Sequence, residues 1–278
     1  MSTDLITRVR FDEVKPLIGS IVRAERDALF DPEVVRQCRE ELDKRVVLVF
    51  PRVNFTNEEQ LAFTDLLGQR LNLGFGKDDD HVHQVTLDKK INRAPEYVLG
   101  TFFYHMDGMT TDAAEPYATL LSARRVAAEG GQTEFANTAA AYDQLTDDEK
   151  AEYERLRVVH TIASSLRSIA DVIPEKHKAR LGFDMNSERP LVYTRASGRK
   201  SLLVGATADT VVGMDVPAGR ALLERLQQWA AQPDFSYRHQ WQEGDFVVWV
   251  NTAAMHRVIP YGDNSGRMMH RTLVAAEV

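Results

Sequence analysis

The last third of the chain breaks into short runs rich in β-branched residues. Residues 189–194, 201–206 and Phe246–Val250 each read as a strand, and turn signals such as Ser197-Gly198 and Glu243-Gly244-Asp245 separate them. One helix interrupts them. Pro217 stands at its start, and Leu222, Leu223, Leu226, Trp229 and Ala230 form its apolar face. Many short strands with a few covering helices predict a mainly β fold, a sandwich or jelly roll with helices laid on it. A doubly wound sheet would need strand and helix to alternate throughout, and the C-terminal half does not alternate.

The first third mixes both elements. Asp31-Pro32 opens a helix with Val34, Val35, Cys38 and Leu42 as its inner stripe. Residues 46–50 are a short buried strand closed by Pro51. Thr56-Asn57-Glu58-Glu59 is a capping-box pattern ahead of Leu61, Phe63, Leu66 and Leu67. Residues 82–87 alternate as a strand should, and 139–156 read as one charged amphipathic helix. No repeat and no Pro/Gly/Ser-rich linker divides the chain, which predicts a single domain over residues 1–278.

Composition excludes several classes. No aliphatic run exceeds the five residues of 46–50, far short of the ~20 that span a bilayer. The start, MSTDLITRVRFDEV, has no basic-then-apolar leader pattern. The one cysteine, Cys38, cannot form an intrachain bridge and reads as an inert core residue, so a reducing, cytoplasmic setting is expected. A net charge of −7 gives no reason to expect a nucleic-acid partner.

Of the eight histidines, only His105, in His105-Met106-Asp107, has an acidic residue two positions on. On a strand, side chains at i and i+2 share a face, so this pair can grip one metal ion from one side. Eight histidines among 41 acidic residues give about one such tripeptide by chance, so context must carry the weight. Residues 99–104 just ahead read as an apolar, aromatic strand, which places the pair at the end of a buried stretch. A carboxylate stranded there is costly, and a metal ion compensates it. His256, a short loop beyond Phe246–Val250, is the best third ligand. Two histidines and one carboxylate are the facial triad of non-haem Fe(II) oxygenases, which leaves three coordination positions open.

Arg267 and Arg271 follow His256 by eleven and fifteen residues, and Thr272-Leu273-Val274 continues as a final strand. Four apart on a strand, the two arginines face one side. A guanidinium near a metal suits the two-point grip of a carboxylate. A 2-oxoacid co-substrate needs that arrangement, with its keto acid on the metal and its far carboxylate on arginine. Spacing alone leaves open a second reading, two surface arginines on an edge strand.

In this order, His105-Met106-Asp107, Gly130-Gly131-Gln132-Thr133, Trp249-Val250-Asn251 with His256, and Arg267 with Arg271 resemble a known family. It is the Fe(II)/2-oxoglutarate-dependent dioxygenases of the taurine dioxygenase group (TauD/TfdA), and the resemblance covers nearly the whole chain. Three stretches resemble the 2,4-dichlorophenoxyacetate dioxygenase branch. They are Thr133-Glu134-Phe135 with Ala140-Ala141-Tyr142-Asp143; Ser197-Gly198-Arg199-Lys200 with Leu203-Val204-Gly205-Ala206; and Tyr237-Arg238-His239-Gln240-Trp241 with Gly244-Asp245. The resemblance implies a double-stranded β-helix, the cupin-like jelly roll. It implies His105, Asp107 and His256 as iron ligands, and Thr133 and Arg267 as the clamp on 2-oxoglutarate. Arg271, Thr101 and Ala206 would face the substrate. It further implies dependence on Fe(II), 2-oxoglutarate and O2, with succinate and CO2 as co-products. The substrate would be a small anionic organic molecule, an aryloxyalkanoate ahead of a sulfonate, sulfate ester or modified amino acid. A homo-oligomer, dimer or tetramer, is expected, with no nucleic-acid or membrane partner.

Three departures stand out. Val250 replaces the usual Asp between Trp249 and Asn251, a position that is not a ligand. Ala206 stands where taurine-using relatives carry a bulky aromatic, which argues for a roomier pocket and against taurine. Residues 75–100 match poorly; their His81 and His83 read as surface-loop residues. The presence of Asp107 argues against a halogenase. His160 and His270 read as structural, His177 and His239 as surface residues, and Phe102 as core. Two other classes remain at this point: a zinc hydrolase on the same three ligands, and a metal-free jelly roll that binds an organic acid.

Overall fold

The computed structural model describes residues 8–71, 82–92, 95–111, 116–173 and 175–276. In chain order its strands are β1 (Val9–Lys15), β2 (Ile18–Ala24), β3 (Val47–Phe50), β4 (His83–Val85), β5 (Pro116–Arg125), β6 (Thr133–Asn137), β7 (Arg157–Thr161), β8 (Asn186–Pro190), β9 (Val192–Thr194), β10 (Lys200–Leu202), β11 (Ala208–Val211), β12 (Ser236–His239), β13 (Phe246–Val250), β14 (Ala254–Val258) and β15 (Met268–Ala275). Seven form one sheet in the order β1-β2-β3-β13-β5-β15-β4, antiparallel except between β2 and β3. Two three-stranded sheets, β12-β6-β14 and β11-β7-β8, and the β9–β10 hairpin complete the β structure among the described residues. The helices are α1 (Pro32–Arg45), α2 (Asn57–Leu67), α3 (Pro95–Gly100), α4 (Thr138–Asp143), α5 (Asp147–Tyr153), α6 (Ile162–Ser165), α7 (Glu175–Leu181) and α8 (Val216–Ala230).

The central strand β13 shows how the layers stack. All five of its residues are buried, so both its faces are covered. Phe246 packs with Phe50, Phe55 and Phe63 at ring separations of 5.2–5.5 Å, which joins β3 and α2 to that face. Trp249 lies on the opposite side of the pleat, 5.3 Å from Phe135 on β6 and 4.7 Å from His256 on β14. Helices therefore cover one face of the large sheet and a smaller sheet covers the other. The fold is a jelly roll with covering helices.

The helix signals near the N-terminus hold. Asp31 accepts the Glu33 N–H at the head of α1, whose buried residues are Val34, Val35, Cys38 and Leu42. Thr56 and Glu59 exchange both bonds of a capping box on α2. The structure also corrects several expectations. Residues 99–104 are not a strand: α3 and a turn occupy them, Phe103 is exposed, and His105 makes only a single bridge to His256. The expected helix over 139–156 is two, α4 and α5, because Thr146 and Glu149 form a second capping box that starts a new helix. Strand 82–87 shortens to β4, 189–194 divides between β8 and β9, and 201–206 is strand only to Leu202. His83 is not a loop residue; it lies on β4 directly opposite Arg271. His81 and the charged run 77–80 lie outside the described residues. No helix among the described residues is long and apolar enough to cross a membrane.

Candidate active site

His105 and His256 face each other across one antiparallel bridge, each amide donating to the other's carbonyl at 2.9 and 2.8 Å. Their rings stand 4.2 Å apart. The Nδ1 of His105 lies 2.9 Å from the Phe103 carbonyl. A carbonyl only accepts, so Nδ1 carries the proton and Nε2 offers its lone pair. That Nε2 is 4.0 Å from one Asp107 oxygen, and His256 Nε2 is 3.9 Å from the other. Donor atoms of all three residues lie within 4.8 Å of one another. Two donors about 2.1 Å from a common ion stand at most about 4.2 Å apart, so the carboxylate-to-imidazole spacings suit one shared ion.

The charge states suit it as well. Burial lowers the pKa of both histidines, that of His256 to about 3, so both rings are neutral and ready to ligate. Burial alone would raise Asp107, but Arg271, the two histidines and the Thr119 hydroxyl outweigh it and hold the carboxyl down to about 2. Thr119 donates to Asp107 Oδ2 at 2.7 Å, and the Asn251 amide donates to Thr119 Oγ1 at 2.9 Å. This chain orients the carboxylate from behind, as outer partners of metal ligands do. It also gives Asn251 of the Trp249-Val250-Asn251 motif a role that does not involve residue 250.

Arg271, on β15, reaches to 3.5 Å from Asp107 Oδ1, and its Nε has no hydrogen-bond partner. Arg267 sits just before β15. A register shift between Met268 and Met269 intervenes, so simple period-two counting does not relate the two arginines. Arg267 is 3% exposed, stacks on the Tyr261 ring at 4.9 Å and leaves Nη2 buried without a partner. Its guanidinium also packs on Gly131, where any Cβ would stand 3.1 Å from its Cδ and Nε. At Gly130, φ is +71° and a Cβ would meet the Pro260 carbonyl oxygen at 2.0 Å, so this pair of residues must be glycine. Two residues on, Thr133 is buried at the head of β6 and its Oγ1 accepts the Trp241 indole N–H at 2.9 Å. A buried guanidinium with an idle N–H is costly unless an anion joins it. The far carboxylate of a 2-oxodicarboxylate answers that need.

A cavity opens beside His105 and Asp107, walled by Tyr97, Thr101, Met109, Ile162, Leu166 and Thr207. Thr101 is among the lining residues. Ala206 is not in the wall; its amide is tied to the Tyr104 carbonyl at 2.6 Å, and Thr207 faces the cavity instead. Sequence reading missed Thr119, Tyr261 and Tyr97, and it quoted Trp241 only within a family motif, with no role. Thr119 carried one usable signal, a lone polar residue in the otherwise apolar run Ala118–Leu121; Tyr261, Tyr97 and the part played by Trp241 are identified by tertiary contact alone.

The sequence matches the family described as taurine catabolism dioxygenase TauD, TfdA family over residues 12–273. The chain belongs to the TauD/TfdA family. It is 33% identical over 270 residues to the alpha-ketoglutarate-dependent 2,4-dichlorophenoxyacetate dioxygenase of Burkholderia sp. (strain RASC), covering 91% of this chain and 90% of that one. It is 35% identical over 262 residues to the protein of the same name from Cupriavidus pinatubonensis, covering 88% and 90%. Among solved structures, AAD-2 in complex with Mn(II) and N-oxalylglycine superposes with a TM-score of 0.80 at 31% identity, over 97% of this chain and 98% of that one. These TauD/TfdA proteins share the jelly roll described above.

Proposed function

We propose that this TauD/TfdA dioxygenase holds Fe(II) on His105, Asp107 and His256, and binds 2-oxoglutarate through Arg267 and Thr133. On this reading it hydroxylates a C–H bond of a small anionic substrate, with an aryloxyalkanoate favoured. The observation that carries the proposal is the convergence of the three donor side chains, from opposite halves of the chain, within 4.8 Å. With iron and 2-oxoglutarate bound, the site supplies oxidative chemistry in which O2, 2-oxoglutarate and R–H become succinate, CO2 and R–OH. The chain's own residues do the rest. Phe103 fixes the His105 tautomer, Thr119 turns the Asp107 carboxylate, and Arg267 neutralises the far carboxylate of the co-substrate. Arg271 supplies positive charge for the anionic group of the substrate, and the apolar wall of Met109, Ile162 and Leu166 keeps water away.

A zinc hydrolase has no use for the buried Arg267. Sulfonates and sulfate esters would use Arg271 equally well, so the substrate class is separated by assay. The same proposal treats residues 1–278 as one domain and the enzyme as a cytoplasmic dimer or tetramer. The buried Cys38, whose thiol burial pushes up to about 12, suits a reducing compartment, and light scattering tests the assembly.

The functional test is succinate release from Fe(II)-reconstituted protein with 2-oxoglutarate and air, across 2,4-dichlorophenoxyacetate, an alkyl sulfate and taurine. Hydroxylation beside an ether oxygen gives a hemiacetal that collapses, so the aryloxy acid should stimulate succinate release and yield one phenol per succinate. Stimulation by the alkyl sulfate alone would move the substrate class, and succinate release without added Fe(II) in metal-stripped protein would overturn the reaction.

A further inference from the structure

Two buried polar side chains beside the cavity take no part in holding metal or 2-oxoglutarate. Thr207, 7% exposed, lies in the cavity wall together with Thr101 and Asp107. Behind it stands His160, fully buried on β7, with Nδ1 2.9 Å from Thr207 Oγ1 and no hydrogen-bond partner for Nε2. The backbone fixes the pair: the Thr161 N–H donates to the Thr207 carbonyl at 2.8 Å, and Ala208 pairs with His160 across the ladder.

Proton inventory decides where the hydroxyl points. Burial, with Arg189 nearby, lowers the His160 pKa to about 4, so the ring is neutral and carries one N–H. Placed on Nε2, that N–H would be a buried donor without an acceptor, a state native structures avoid more strictly than an idle lone pair. Placed on Nδ1, it donates to Thr207 Oγ1. The Thr207 hydrogen then has no acceptor among the described residues and is left to the cavity.

We propose that Thr207 binds substrate, donating its hydroxyl hydrogen to an oxygen of the anionic organic molecule, and that His160 is the positioning residue that sets its direction. The inference rests on the dioxygenase reading above and adds a specificity-determining contact to it. A substrate lacking an acceptor oxygen at that point forfeits the bond and leaves the hydroxyl unpaired.

The test uses Fe(II)-reconstituted enzyme and the acid from the panel above that most stimulates succinate release. Thr207→Val should raise the KM for that acid about tenfold, the worth of one hydrogen bond, while the KM for 2-oxoglutarate stays within about twofold of the parent. Thr207→Ser should restore the KM to within about twofold. His160→Phe, or His160→Leu if Phe is not tolerated, should raise the same KM, and the double variant with Thr207→Val should be no worse than Thr207→Val alone. An unchanged KM in Thr207→Val, or Thr207→Ser behaving like Val, overturns the assignment of Thr207. Additive effects in the double variant overturn that of His160. A panel in which no acid stimulates succinate release overturns the functional reading, and this inference with it.

Discussion

His105 can present Nε2 to an ion because its other nitrogen is held by the Phe103 carbonyl, and Asp107 can stay charged in a buried setting because Arg271 and Thr119 face it. Such partners are invisible in the tripeptide His105-Met106-Asp107, which names ligands and not what aims them. His160 shows the same limit. Its sequence neighbours mark it as structural, and only the fold places it behind Thr207. Its titration gives a prediction at this scale. The folded ring protonates near pH 4 and the unfolded one near 6.5, so below 6.5 the unfolded chain binds more protons. The stability tied to this group is intact above about pH 6.5 and is lost as pH falls towards 4, up to on the order of 3 kcal/mol. Urea midpoints at pH 7 and pH 5 should therefore fall further apart in the parent than in His160→Phe; equal pH dependence would show that the ring is not held neutral.

The elements that sequence identified are those whose ends carry their own chemistry. The Asp31-Pro32 cap, the Thr56/Glu59 box and Pro217 at the start of α8 are local, and the helices begin where they indicate. Phe246–Val250 is uniformly apolar, and the strand has those bounds. Residues 99–104 were misread because a short apolar, aromatic stretch, here Leu99, Phe102, Phe103 and Tyr104 around Gly100-Thr101, has no periodicity to tell strand from helix. The split between α4 and α5 was missed because the amphipathic pattern runs through the break, although Thr146 and Glu149 repeat the capping box already recognised in α2. At this scale Thr56→Ala should cost about 1 kcal/mol of unfolding free energy, read from denaturant melts, because it leaves the Glu59 amide uncapped. A loss below about 0.3 kcal/mol would mean that tertiary packing alone holds α2.

Across the whole molecule, two sets of distant residues meet. β14 carries His256 within the small sheet with Trp249 of β13 packed on its ring, the turn after α3 brings His105 to it, and the residue before β15 brings Arg267 to the Gly130-Gly131 turn. The net charge of −7 is that of the whole chain, whereas Arg267 and Arg271 are both buried, and on the proposed function these two cations are what would receive small anions. The ordered set of motifs made the site legible in the sequence; the depth of Arg267 and its unpaired Nη2 did not show there, because burial depends on the whole fold.

The central claim is that a metal on His105, Asp107 and His256 and an arginine at 267 bind one 2-oxoglutarate together. It is tested most directly by calorimetric titration of 2-oxoglutarate into the protein with and without Mn(II), a redox-silent stand-in for Fe(II). The expected result is one 2-oxoglutarate per chain, bound tightly only when metal is present and weakened at least a hundredfold in Arg267→Ala, as for a lost buried charge pair. Equally tight binding without metal, or an unchanged affinity in Arg267→Ala, would contradict it.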